Sequence, residues 1–280
     1  MFSEKFKHRF EKFITYFGIG LFILHFALIM AIQFGLISGQ YFPENLFGHP
    51  FASLFSPFSI LLIYEVYLLI YYLRKSYTKS VAKQLEIMAL ILLRNSFKDI
   101  GKMMQGEIPI IQSDLIKDLS GFILVLLLLW AFYAIEGARK AATYELTPNF
   151  IRLKNNLSTV LIWIFLGLSI FSFSHWLFEL IKFSDNHASL EDPSHVFYRE
   201  FFTLLTFADV LLLLSSAKNL QNTILVIRNS GYVLATLLMR ISFGFEGWER
   251  IFTIVLGACV AVFMLWISEK SAFKTSRMST

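Results

Sequence analysis

The chain has few of the residues on which soluble enzymes and disulfide-bonded domains depend. It contains a single cysteine, Cys259, so no disulfide can form within one molecule and the redox compartment stays open. Charged residues make up 16% of the 280 positions, whereas soluble proteins have about a quarter. No GxSxG, HExxH or CxxC motif occurs. We therefore expect no enzyme, and no catalytic residue, cofactor, metal ion or nucleic-acid partner.

Long apolar runs dominate the chain instead. Hydrophobic residues account for 56% of it, and 31 residues are phenylalanine. A helix that crosses a bilayer needs about 20 mostly apolar residues. We therefore predict an all-α, polytopic membrane helical bundle with about eight transmembrane helices. Six segments are clearly long and apolar enough: 13–37, 51–73, 118–135, 157–181, 198–217 and 250–268. Two weaker segments, 84–103 and 230–248, each contain an arginine, and whether they cross fully is left open.

Basic residues are unevenly distributed over the segments that join these helices. Eight crossings would place most of the 25 Lys and Arg residues on one side of the membrane, together with both termini. Cytoplasmic loops are the ones that carry an excess of Lys and Arg. The pattern predicts a multi-pass protein of the cell (inner) membrane with both termini in the cytoplasm. Six crossings would give the same orientation, so charge does not decide the number of helices.

An internal repeat favours eight crossings. The segment EIMALILLRNSF at 86–97 resembles YVLATLLMRISF at 232–243. Four pairs of landmarks then align in one order along the chain: His25 with His175, Glu65 with Asp209, Arg94 with Arg240 and Trp130 with Trp266. The alignment predicts two parallel four-helix repeats, residues 1–140 and 141–280, related by an axis along the membrane normal.

Ionisable residues inside the predicted spans are the candidate functional residues. A charge at the bilayer centre costs about 2.5–3.5 kcal/mol, so opposite charges at one depth should pair. We expect Glu65 to pair with Arg94, and Asp209 with Arg240. Such pairs could clamp neighbouring helices or form part of an ion or proton path. A third alternative is that the arginines extend to the outer interface.

Histidine and tryptophan supply the remaining candidates. His25 and His175 lie within apolar spans and are either packing residues or a proton relay beside the acids, because imidazole titrates near neutrality. Trp130 and Trp266 precede basic residues and are expected to anchor the helices at the cytoplasmic interface. No GxxxG motif lies within a predicted span, which favours helix contacts through bulky Leu and Phe side chains.

A resemblance to a known family is visible in these residues. The acid in YEVYLLIYYLRK, the arginine in IMALILLRNSF and a last helix that ends in Leu-Trp and basic residues resemble the phosphate-starvation-inducible PsiE family. That family consists of small four-helix inner-membrane proteins without a settled biochemical activity. The resemblance covers about 20–140 and 165–275, so the chain looks like a tandem double version. Glu65, Arg94 and Trp130 match in the first half, and Asp209, Arg240 and Trp266 in the second.

Two classes of function remain open after the sequence is read. In the first, an ion or small solute is conducted or transported between the two repeats, past the charges at Glu65, Arg94, Asp209 and Arg240. In the second, the chain is a non-transporting scaffold or a stress-responsive, partner-binding subunit, and the charges only pack helices. The lipid bilayer is the partner that both require. The solute, any protein partner and any homo-oligomer stay undetermined.

Overall fold

The computed structural model describes residues 3–38, 42, 47–104, 114–137, 148–186, 193–219 and 223–278. Over these residues the chain is all-helical, with eight α-helices and two short 3₁₀ turns, Pro50–Leu54 and Ser242–Gly244. The predicted all-α fold with about eight helices is therefore confirmed. The helices are α1 (Glu4–Gln33), α2 (Phe55–Lys75), α3 (Tyr77–Met104), α4 (Leu115–Gly137), α5 (Pro148–Asn186), α6 (Pro193–Asn219), α7 (Thr223–Ile241) and α8 (Gly247–Met278).

Five of the described helices are long and apolar enough to cross a membrane. They are α1, α2, α4, α5 and α8, and α6 contains a shorter apolar stretch, Phe201–Ser215. Long helices with apolar surfaces are what an integral membrane protein requires, because lipid offers no partner for unpaired backbone groups. The arginine-bearing helices α3 and α7 are not among the five.

A tight turn joins α2 to α3. Ser76 alone separates them, with an extended backbone, and its side-chain oxygen accepts a hydrogen bond from the Lys79 N–H at 3.4 Å. Serine in this position caps a helix by satisfying a free N–H of the first turn. The two helices run antiparallel from there. Phe58 near the start of α2 accordingly stacks on Phe97 near the end of α3, with 5.1 Å between the ring centroids.

The buried apolar side chains form two clusters, and each draws on both halves of the chain. The first joins α1 and α2 to α5 and α6, and residues 62–73 of α2 are its largest contribution. The second joins α3 and α4 to α7 and α8. The predicted units 1–140 and 141–280 therefore share their hydrophobic cores.

Small residues allow the backbones of α7 and α8 to approach each other closely. A Cβ added to Gly257 of α8 would lie 2.8 Å from the carbonyl oxygen of Ala235 in α7, and one added to Gly231 would lie 2.3 Å from Met264. The expectation of bulky Leu and Phe contacts is therefore wrong here. Each helix carries a Gly-x-x-x-Ala pair, which permits close backbone approach as GxxxG does. The pairs are Gly231 with Ala235 and Gly257 with Ala261.

Helix α3 is surrounded by other helices. It packs against α2, α4, α7 and α8. It also buries polar side chains on several faces, among them Ser80, Gln84, Arg94 and Ser96. Polar residues in a membrane helix are tolerated when they face the bundle interior and find partners there. The position of α3 thus explains how a helix of low hydropathy fits among apolar neighbours.

Candidate functional site

A buried ion pair connects α6 to α7, between the two residues that were expected to pair. The Arg240 Nη2 donates a hydrogen bond of 2.6 Å to Asp209 Oδ2, and the Asp209 side chain is 0% exposed. Arg240 Nη1 donates to Thr206 Oγ1 at 2.7 Å. Guanidinium groups suit such sites because their donors form a planar fork that holds several acceptors at once.

The same arginine also reaches the first half of the chain. Its Nη2 donates to Gln84 Oε1 of α3 at 3.0 Å. Thr236, one turn before Arg240, lies with its hydroxyl 3.5 Å from Asp209 Oδ2. Charge-assisted hydrogen bonds away from water are strong and directional. The network therefore ties α3, α6 and α7 together, and its geometry is that of a clamp.

Glu65 has a different partner from the one expected. Its Oε2 lies 3.5 Å from the Lys83 Nζ of α3. Lys83 also forms an ion pair with Glu86, three residues along the same helix, and the Tyr133 hydroxyl of α4 donates to the other Glu86 oxygen. Two carboxylates thus share one ammonium group. If all three are ionised, the cluster of Glu65, Lys83 and Glu86 carries one excess negative charge.

The predicted pair of Glu65 with Arg94 is corrected by this arrangement. Counted outward from the turn at Ser76, Glu65 lies level with about residue 87 on the antiparallel helix, at about 1.5 Å per residue. Lys83 is about one turn from that level, and Arg94 about two turns away on the other side. Arg94 is buried at 5% exposure, but Glu65 contacts Lys83 instead.

The two charge clusters differ in how far their side chains are exposed. The side chains of Glu65, Lys83 and Glu86 are 10%, 17% and 20% exposed, so the cluster extends from a buried acid towards the surface of the bundle. Asp209 is fully enclosed. A partly open cluster with excess charge can exchange an ion with its surroundings, whereas an enclosed and balanced pair cannot do so without opening.

His25 does not lie close to Glu65. His25 is buried, and its Nδ1 lies 2.6 Å from the Ser56 hydroxyl, at the opposite end of α2 from Lys75. Ser56 and Glu65 are nine residues apart in one helix, about 14 Å along its axis. The side chain of His175 lies outside the described part. Trp130 and Trp266 are exposed, and Lys270 Nζ lies 4.0 Å from the ring centroid of Trp266.

Sequence reasoning missed a third charge pair and several partners. Asp118 of α4 is buried and ion-paired with Arg250 of α8, although each is the first residue of its predicted span, 118–135 or 250–268. Lys83 lies just before the predicted span 84–103, which places it in a loop on sequence grounds. The spacing Lys-x-x-Glu of Lys83 and Glu86 could have indicated that Lys83 belongs to the helix and pairs there, because it places both side chains on one helical face.

These features define an all-α protein, over the described residues, whose long apolar helices are compatible with an integral membrane protein and whose bundle contains charge clusters. Within the described ranges, no group of three or more His, Cys, Asp or Glu residues could hold a metal ion. No protein-family model, curated protein or solved structure matches the chain. The resemblance to the PsiE family therefore stays a prediction.

Proposed function

We propose that the chain conducts or transports a small cation or a proton across a membrane, and that the cluster of Glu65, Lys83 and Glu86 is the site it meets. The observation that carries this proposal is the sharing of one ammonium by two carboxylates at low exposure. Ionisable groups within a membrane are costly and mark ion or proton pathways. An entering cation would neutralise the excess charge of the cluster.

The proposal includes eight crossings, in two parallel repeats with both termini cytoplasmic. Helix α3 has 28 residues, about 42 Å at 1.5 Å per residue, which exceeds the hydrocarbon thickness of about 30 Å. It packs against four other helices, which in a bilayer would cover much of its surface. Glu65 lies ten residues before the end of α2, about 15 Å from that end, so it would reach the middle of the bilayer.

The two clusters have different roles in this proposal. Lys83 is a flexible side chain that already contacts both acids, so an incoming cation can displace its ammonium group from Glu65. Asp209 and Arg240 stay paired and hold α3, α6 and α7 in register. The ion therefore passes the first cluster only, although the repeat relates the two acids in sequence.

The alternative is a non-transporting membrane scaffold, and the Asp209 network favours it. That network is enclosed, balanced in charge and bridged to α3 through Gln84. Charges with this geometry pack helices and need no moving ion. If the Glu65 cluster acts in the same way, no flux depends on it.

Flux through proteoliposomes distinguishes the two functions. We expect purified protein to carry protons, Na⁺ or K⁺ above the rate of protein-free vesicles. The change Glu65→Gln should lower that flux by about tenfold or more, because it removes the charge that attracts the cation. Size-exclusion elution and thermal melts of each variant report whether it is still folded.

The matched control is Glu4→Gln. Glu4 also contacts a lysine and a tyrosine, Lys75 and Tyr71, but it is exposed at the start of α1. Its substitution should leave flux within about twofold, since an exposed charge is screened by water and salt. Absence of flux for all three ions would contradict transport and favour the scaffold. Full flux in folded Glu65→Gln would instead contradict the placement of the ion site at the cluster of Glu65, Lys83 and Glu86.

A further inference from the structure

One continuous stripe on α1 is exposed from end to end. Its members follow the spacing of a single helical face, at intervals of three and four residues. Three cations come first, then a tyrosine, then aliphatic and aromatic side chains. The stripe consists of Lys5, Arg9, Lys12, Tyr16, Ile19, Ile23 and Phe26.

The opposite face of α1 is fixed against the bundle. Ile14, Gly18, His25 and Ile29 are buried there. At the beginning of the helix, the Tyr71 hydroxyl of α2 donates to Glu4 at 2.6 Å. These contacts hold the stripe in an outward orientation along the whole of α1.

The positive charges of the stripe are not neutralised by the neighbouring acids of α1. Two acids lie near them in sequence, and both are engaged elsewhere. Glu4 contacts Tyr71 and Lys75, and Glu11 lies 3.5 Å from His8. In the described ranges, no carboxylate forms an ion pair with Lys5, Arg9 or Lys12. The first turns of α1 therefore present positive charge outward.

The order of groups along the stripe matches the order of groups along a phospholipid. Three cations span about 10 Å of helix axis, which is suited to the headgroup layer. Tyr16 follows where an amphipathic ring prefers to lie, at the interface. Ile19, Ile23 and Phe26 continue to the depth of the acyl chains. We infer that this face of α1 binds an anionic phospholipid, with its phosphate on the cations and a chain along the apolar residues.

The inference does not depend on transport and is tested by lipid selectivity. Fluorescent phosphatidylglycerol and phosphatidylcholine are compared for binding to the full-length protein in nanodiscs. We expect a preference for phosphatidylglycerol that weakens with salt. The triple change Lys5→Gln, Arg9→Gln, Lys12→Gln should lower it by roughly fivefold per removed cation, since each contributes about 1 kcal/mol near an anionic surface.

The control removes three exposed cations elsewhere, through Lys79→Gln, Arg152→Gln and Lys270→Gln. It should leave the preference intact, and an equal loss would show a diffuse effect of net charge and overturn the inference. Inorganic phosphate at matched concentration should not displace the lipid, because it lacks the apolar part. Displacement by phosphate, or equal binding of both lipids by the unchanged protein, would also overturn it.

Discussion

Replacement of Arg240 with methionine should lower the free energy of unfolding by about 3–5 kcal/mol, the range for breaking a buried ion pair from one side. The change leaves the fully enclosed Asp209 carboxylate without its guanidinium partner. It also removes the hydrogen bonds to Thr206 and Gln84. Chemical denaturation in detergent, followed by circular dichroism, measures the loss.

The double variant Asp209→Leu, Arg240→Met provides the decisive comparison. Apolar side chains of similar volume remove the desolvation penalty of both charges, so the double variant should recover most of the lost stability. Lys75→Met is a further control, because its pair with Glu4 is exposed and should matter little. If Arg240→Met were as stable as the unchanged protein, the clamp would not hold these helices together.

Valine at position 257 should destabilise the protein by about 3 kcal/mol, at the upper end of the usual range for overpacking. A Cβ added there would lie 2.8 Å from the backbone oxygen of Ala235, and backbone cannot move aside as a side chain can. Gly231→Ala should be milder, because the neighbour is the flexible Met264 side chain.

The control for this interface is Gly167→Ala. Nothing lies within 4 Å of a Cβ added there, so alanine should be neutral or should stabilise α5 by about 0.5–1 kcal/mol. Thermal melts of the three variants in one detergent give the order. An equal effect at positions 257 and 167 would mean that α7 and α8 do not approach as closely as the structure shows.

Much of the fold could be predicted, because the length of each apolar run in the sequence indicates a helix directly. The eight helices follow from hydropathy, and the pair of Asp209 with Arg240 follows from the expectation that opposite charges at one depth find each other. The approach of α7 to α8 was missed, because alanine replaces the second glycine of each small-residue pair. Size and not residue identity decides how near two backbones can come.

Hydropathy alone does not identify the partner of Glu65, because it does not fix how far one helix is shifted along its neighbour. A shift of one or two turns decides whether Lys83 or Arg94 is nearest, and apolar runs do not mark their ends that closely. Gln84 was missed for another reason. Its contact with Arg240 joins the two halves, and which helices become neighbours across the halves is not encoded in the order of spans.

Whether α3 crosses the bilayer decides whether Glu65, Lys83 and Glu86 can meet an ion inside the membrane. Cys259, which is exposed, is first changed to serine. Lys79→Cys near the start of α3 and Asp114→Cys just before α4 are then labelled with a membrane-impermeant thiol reagent, in intact cells and in inverted vesicles. We predict that Lys79→Cys is labelled only from the cytoplasmic side and Asp114→Cys only from the opposite side. Labelling of both from the same side would contradict the crossing, and with it the proposed site.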